Sequence, residues 1–112
     1  MVLRLEAVTF DVADAAAAAA FWSGMLQRDV VEEEGGRLVP GSETQVGLRF
    51  VTSTTEQVGP HRLHLHVTSA SPEDQQRTVE SALRLGGRHL DVGQSADDGF
   101  VVLADPGGNP LC

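Results

Sequence analysis

Val8, Phe10 and Val12 alternate with Ala7, Thr9 and Asp11, and 55 residues further on Leu63, Leu65 and Val67 alternate with Arg62, His64 and His66. Each stretch leads into a segment with helical signals and then into short strand-like runs. This offset of about half the chain constrains the fold more than any other feature. It predicts two similar supersecondary units, each with one apolar sheet face that its own helix must cover.

The local signals agree with that plan. Residues 3–12 read as a half-buried strand, although Leu3 and Leu5 fit the alternation poorly. Asp14 suits a helix N-cap, and the alanine run 15–20 has the highest helix propensity. Ala18, Phe21, Trp22, Met25 and Leu26 make one apolar stripe, so the alanines and both aromatics read as core packing. Strands are predicted at 29–33, 37–40 and 45–52, with Gly35-Gly36 as a hairpin turn. A polar stretch, 53–60, ends in Gly59-Pro60 and reads as a linker. The second unit has a strand at 61–68 and a helix opened by Ser71-Pro72-Glu73-Asp74. Val79, Ala82 and Leu83 form that helix's buried stripe, and Gly86-Gly87 closes it. Strands at 88–92 and 100–104 follow, then a tight turn at 105–109 in which Asp105 and Asn109 act as turn-makers.

With one helix on each sheet, the opposite faces stay open. Set side by side, two such sheets form a cup. Its predicted ligand-contacting residues are Thr9, Asp11, Arg49, Arg62, His64 and His66. The assignment rests on period-two alternation, so a single bulge would invert a strand.

Composition removes several functional classes. Eight arginines, no lysine and sixteen acids give a net charge of −8. The arginines are scattered singly, while Glu32-Glu33-Glu34 is the longest charge run, so neither nucleic acid nor an anionic membrane is expected as a partner. No apolar run is long enough to span a membrane and no signal peptide is read at the start. The single cysteine, Cys112, fits a reducing cytoplasm. The absence of Lys, Ile and Tyr reads as coding bias from a GC-rich genome.

Three ordered patterns carry a family resemblance. Val12-Ala13-Asp14 precedes a helix with Phe21-Trp22 and Met25-Leu26. The strand restarts at Leu63-His64-Leu65-His66-Val67. Finally there is the turn Asp105-Pro106-Gly107-Gly108-Asn109-Pro110. Together they resemble the vicinal oxygen chelate superfamily, the glyoxalase, bleomycin-resistance and extradiol-dioxygenase group. The resemblance implies an α+β fold of two tandem βαβββ modules forming a cupped mixed sheet within a single domain. Here the modules fall at about 1–52 and 61–112, with the last strand clipped at Cys112. It also implies a homodimer, and in many members a divalent metal held by His, Gln and Glu. Those ligand positions fall on Ala7, on or beside Arg49, on Arg62 and on Cys112. Ala7 cannot coordinate and arginine stays protonated, so no metal site of the family type and no cofactor are expected. Gln27 stands where the family usually has glycine, which predicts a reshaped helix end.

What chemistry remains is narrower. His64 and His66 share a strand face at a backbone spacing of roughly 6.5–7 Å. They read as a cavity wall, as hydrogen-bonded structural residues, or as a divalent-metal pair with Asp11 or Cys112 as third donor. Arg49 and Arg62 suit an anionic ligand, or pairing with Asp11 or another nearby acid. His61 and His89 lie at strand starts and are expected to be exposed. The functions open to such a chain are a metal-free small-molecule binder of the sequestration or resistance type, and a lyase, isomerase or dioxygenase using His64 and His66 with a metal. A third is a non-catalytic dimerisation domain.

Overall fold

A computed structural model describes residues 3–54, 63, 65–91, 93–95, 97 and 99–112. The expected residues Arg62 and His64, together with most of the predicted linker, lie outside the described residues. The elements run β1 (Ala7–Val12), α1 (Ala15–Leu26), β2 (Val31–Glu33), β3 (Gly36–Val39), β4 (Gly47–Thr52), α2 (Pro72–Arg84), β5 (Arg88–His89), β6 (Leu103–Ala104) and β7 (Pro110–Leu111).

The first four strands form one mixed sheet in the order β1-β4-β3-β2. β1 and β4 are parallel, in register from Ala7↔Gly47 to Val12↔Thr52. β3 is antiparallel to both β4 and β2. The second sheet has the order β5-β6-β7. The segment around Leu65 adds to its far edge through a parallel bridge with Leu111. Leu65 N–H donates to Pro110 O (3.2 Å), Cys112 N–H to Leu65 O (3.0 Å) and Val67 N–H to Cys112 O (2.8 Å). In both sheets, then, the stretch before the helix lies parallel to the last strand, which pairs antiparallel with the one before it. The two repeat stretches, Phe10 and Leu65, occupy equivalent places.

Both helices begin as their caps dictate. Asp14 Oδ1 accepts the Ala17 N–H at 3.1 Å. Ser71 Oγ accepts the Asp74 N–H at 3.1 Å, and Asp74 reaches back to the Ala70 N–H at 3.0 Å, a reciprocal arrangement that satisfies two otherwise orphaned donors. Acids in the first turn of α2 and Arg84 in its last turn suit the helix dipole. The end of α1 is not reshaped. Gln27 takes the left-handed conformation itself (φ 57°, ψ 50°) and its N–H caps Ser23 O. A side chain in that region costs roughly 1 kcal/mol relative to glycine. Gln27→Gly is therefore expected to raise unfolding free energy by about 0.5–1 kcal/mol in urea titration.

One core joins the two halves. Val12, Ala18, Phe21, Trp22, Val39, Leu48 and Phe50 from the first half pack with Ala82, Leu103 and Leu111 from the second. Two glycines permit the close approach. A Cβ at Gly87 would lie 2.9 Å from the Phe21 ring, and one at Gly107 would lie 2.8 Å from Val12 Cγ1.

Several strand limits differ from expectation. Residues 3–6 are outside β1, and Leu3 and Leu5 are 84% and 88% exposed. Leu63, expected on the apolar face, is 65% exposed, whereas Leu65 and Val67 pack on the core. β5 and β6 are two residues each, shorter than the predicted runs.

Candidate functional site

Register and burial together define the open face of the first sheet. Val8, Phe10, Val12, Leu48, Phe50 and Val39 face α1 and the core. Pleating sends their neighbours to the other side. One row across that face is Thr9, Arg49, Leu38 and Val31, and the next is Asp11, Val51, Gly36 and Glu33. Thr9 and Arg49 are direct register partners, and Asp11 lies two residues along on the same face. The tight turn between β2 and β3 brings Glu33 opposite Gly36, with Gly35 at φ 78° supplying the left-handed residue.

Arg49 is the electrostatic centre of this face. Its Nε donates to Glu33 Oε1 at 2.7 Å and its Nη2 to Glu33 Oε2 at 3.3 Å, a forked pairing. Nη2 also lies 3.4 Å from Glu6 Oε1. Among the described residues its ion-pair partners are thus Glu33 and Glu6, not Asp11. The hydrogen bond from Arg49 holds the Glu33 carboxyl below the usual carboxylate range, against a smaller opposing effect of desolvation. The same bond raises the Arg49 guanidinium further. Because the folded-state pKa of Glu33 is depressed, its stabilising contribution is full above the unfolded value near about 4.3 and fades as pH falls through the folded value. Glu33→Gln is expected to flatten the acid limb of a stability-versus-pH curve below about pH 4.3 and leave stability at pH 7 to 9 with little slope. An acid limb identical to that of the unmodified protein would contradict this pairing.

His66 stands elsewhere. It is exposed and lines an open groove of about 440 Å³ with Trp22 and Leu26 of α1, Leu48 of β4, and Leu65 and Val67. Leu48 belongs to the α1 side of the sheet, so this groove and the Thr9–Arg49 row lie on opposite faces of β4. Of the expected cup residues, the structure brings together Thr9, Asp11 and Arg49, and sets His66 at the junction of the two halves. His89 is exposed, as expected, and Cys112 is half-buried.

Asp105 does more than shape a turn. It is fully buried. Its Oδ1 accepts from the Gly107 and Asn109 amides at 2.9 and 2.8 Å, and its Oδ2 accepts from Trp22 Nε1 at 2.8 Å. The Asn109 side-chain amide lies 3.2 Å from both oxygens. The turn signal was plain in the sequence, but nothing local pointed to Trp22. No group of three or more His, Cys, Asp or Glu side chains able to hold a metal ion occurs among the described residues. No helix among them is long and apolar enough to cross a membrane.

Comparison with known proteins places this geometry. The family profile of the glyoxalase-like domain matches residues 7–112. A search of curated protein sequences finds no match. Among solved structures, a glyoxalase/bleomycin resistance protein/dioxygenase family enzyme from Burkholderia phytofirmans aligns with a TM-score of 0.75 at 15% identity, covering 97% of this chain and 95% of that one. A glyoxalase-related enzyme from Fulvimarina pelagi aligns at 0.72 with 15% identity, covering 98% and 86%. A fosfomycin resistance protein from Listeria monocytogenes, solved with Mn(II) and a dihydroxypropylphosphonic acid, aligns at 0.70 with 13% identity, covering 99% and 90%. At these identities the likeness is one of fold.

Proposed function

Since the chain belongs to the glyoxalase-like domain family of the vicinal oxygen chelate superfamily, we propose that it binds a small organic molecule without the divalent metal many superfamily members use. Sequestration, as in resistance proteins, is the mode this suits best. The observation that carries the reading is the state of the inherited ligand positions. Ala7 offers no donor atom. Arg49 is a cation already forked onto Glu33, and a guanidinium does not ligate a divalent ion. Cys112 belongs to no group of three or more His, Cys, Asp or Glu side chains among the described residues. These residues do not fit the metal, so no catalytic step is derived through one.

The proposed contacts are Thr9, Asp11 and Arg49 on the open face, with Arg62 and His64 outside the described residues; His66, which lines the groove on the opposite face of β4, is not one of them. A homodimer completes the proposal. β1 is the outermost strand of its sheet, so one edge of it has no strand partner among the described residues, and an unpaired edge favours association. The single thiol and the acidic surface fit a protein that works in the cytoplasm.

Two measurements test the proposal. Elemental analysis of protein purified without chelator is expected to find no stoichiometric divalent ion. A bound ion that disappears in His66→Ala would overturn the metal-free reading in favour of a metal-dependent lyase, isomerase or dioxygenase. In a fragment screen followed by amide chemical shifts, small polar organic compounds are expected to shift Thr9, Asp11 and Arg49. Arg49→Ala is expected to weaken such binding by about tenfold, the loss of one charge-assisted contact. Binders that leave those three amides unmoved would count against the site.

A further inference from the structure

Asp105 and Trp22 are 83 residues apart in sequence and belong to different halves of the chain. Trp22 is 1% exposed and is one of the residues that line the groove on the α1 side. The opposite wall, residues 65–68, hangs on the second sheet through the bonds from Leu65 N–H to Pro110 O, Cys112 N–H to Leu65 O and Val67 N–H to Cys112 O. β7 follows directly from the turn 105–109, and that turn is wound around the Asp105 carboxylate by the Gly107 and Asn109 amides. A continuous path therefore runs from one wall of the groove to the other: Trp22, the Asp105 carboxylate, the turn, β7 and the 65–67 segment. The side-chain hydrogen bond that joins the two halves along this path is the buried Trp22–Asp105 bond. Packing along the same seam is close at Gly87 and Gly107, where contacts to Phe21 and Val12 leave no room for a Cβ.

We propose that Trp22 and Asp105 form a latch that sets the spacing of the two groove walls. When the bond opens, the turn, β7 and the 65–67 segment leave α1 as one cooperative unit. Asp105 is thus a positioning residue. It acts through Trp22 and β7 on where His66 stands relative to the first half. The latch does not rest on the reading above, whose contacts at Thr9, Asp11 and Arg49 lie on the other face of β4.

The test uses hydrogen exchange by NMR on the intact protein. Trp22 is the sole tryptophan, so its indole N–H gives one unambiguous resonance. The indole proton and the amides of Leu65, Val67 and Cys112 are expected to share protection factors within about threefold, as members of one opening unit. Trp22→Phe keeps an aromatic ring but removes the donor. It is expected to speed exchange at those three amides by about tenfold, while Gly47 and Ser53 at the β1–β4 pairing change by less than about threefold. Equal acceleration in both halves would overturn the latch, since the bond would then be one core contact among many. So would an indole proton in the unmodified protein that exchanges more than about tenfold faster than the three amides. Should Trp22→Phe fail to fold, the comparison within the unmodified protein decides alone. Failure to bind any small molecule would sink the proposed function and leave these exchange results untouched.

Discussion

Asp105→Ala is expected to cost about 3–5 kcal/mol of unfolding free energy. The carboxylate is fully buried and takes hydrogen bonds from the Trp22 indole, the Gly107 and Asn109 amides, and the Asn109 side chain. Truncation leaves these donors without their acceptor, at about 1–3 kcal/mol for each one that water cannot reach. Gly107 is exposed and recovers part of its loss by hydration, whereas Trp22 Nε1 is sealed in the core. Asp105→Asn separates the contributions. An asparagine keeps one oxygen for the turn amides but sets an N–H₂ group against the indole N–H, two donors face to face. It is expected to lose about 1–3 kcal/mol. The measurement is urea unfolding of all three proteins, with the midpoint falling from Asp to Asn to Ala. Against a total of about 5–15 kcal/mol for a domain of this kind, the alanine variant stands near the limit of folding. An alanine variant within about 1 kcal/mol of the parent would mean that water replaces the carboxylate at little cost.

Phe50→Ala is expected to have an effect of similar size by a different route. Phe50 is fully buried in β4 and stacks on its register partner Phe10, with ring centroids 5.6 Å apart and an interplanar angle of 18°. Removing the ring leaves a void between α1 and the middle of the first sheet, and large-to-small changes at such sites cost about 3–5 kcal/mol. The stacking adds about 0.5–1.5 kcal/mol to what is lost. Phe50→Leu fills most of the void and is expected to cost less than half as much. The two variants compared by thermal unfolding separate lost volume from lost stacking. Equal midpoints would show that the void collapses.

Much of this fold is legible in the sequence because its signals are local. The Asp14 and Ser71 caps, the alanine-rich stripe and the Gly86-Gly87 stop place both helices within a residue or two. The alternation of Val8, Phe10 and Val12 assigns the faces of β1 correctly, and with them the shared face of Thr9 and Arg49. The ends of the strands are another matter, because a strand stops where its partner stops. β1 begins at Ala7, opposite Gly47, despite the apolar Leu3 and Leu5 before it. The partners of Arg49 depend on the register of β2, β3 and β4 together, which alternation within one strand does not specify. The Trp22–Asp105 bond joins residues whose separate readings, core aromatic and turn-maker, are each right. Only their meeting in three dimensions shows that one serves the other.

The parallel pairing of the opening stretch with the last strand in each half has a consequence for how the chain acquires its structure. Ala7 meets Gly47 and Leu65 meets Leu111, so in neither half does the opening stretch find its partner until the whole intervening helix and hairpin are in place. Closing loops of that length costs entropy before any contact repays it, and folding slows as the sequence separation of the contacts grows. The antiparallel β2–β3 hairpin, closed by a two-residue turn, is the fast local event. The long parallel closures are expected to set the pace, and the shared core of Phe21, Trp22, Leu103 and Leu111 ties the second closure to the first.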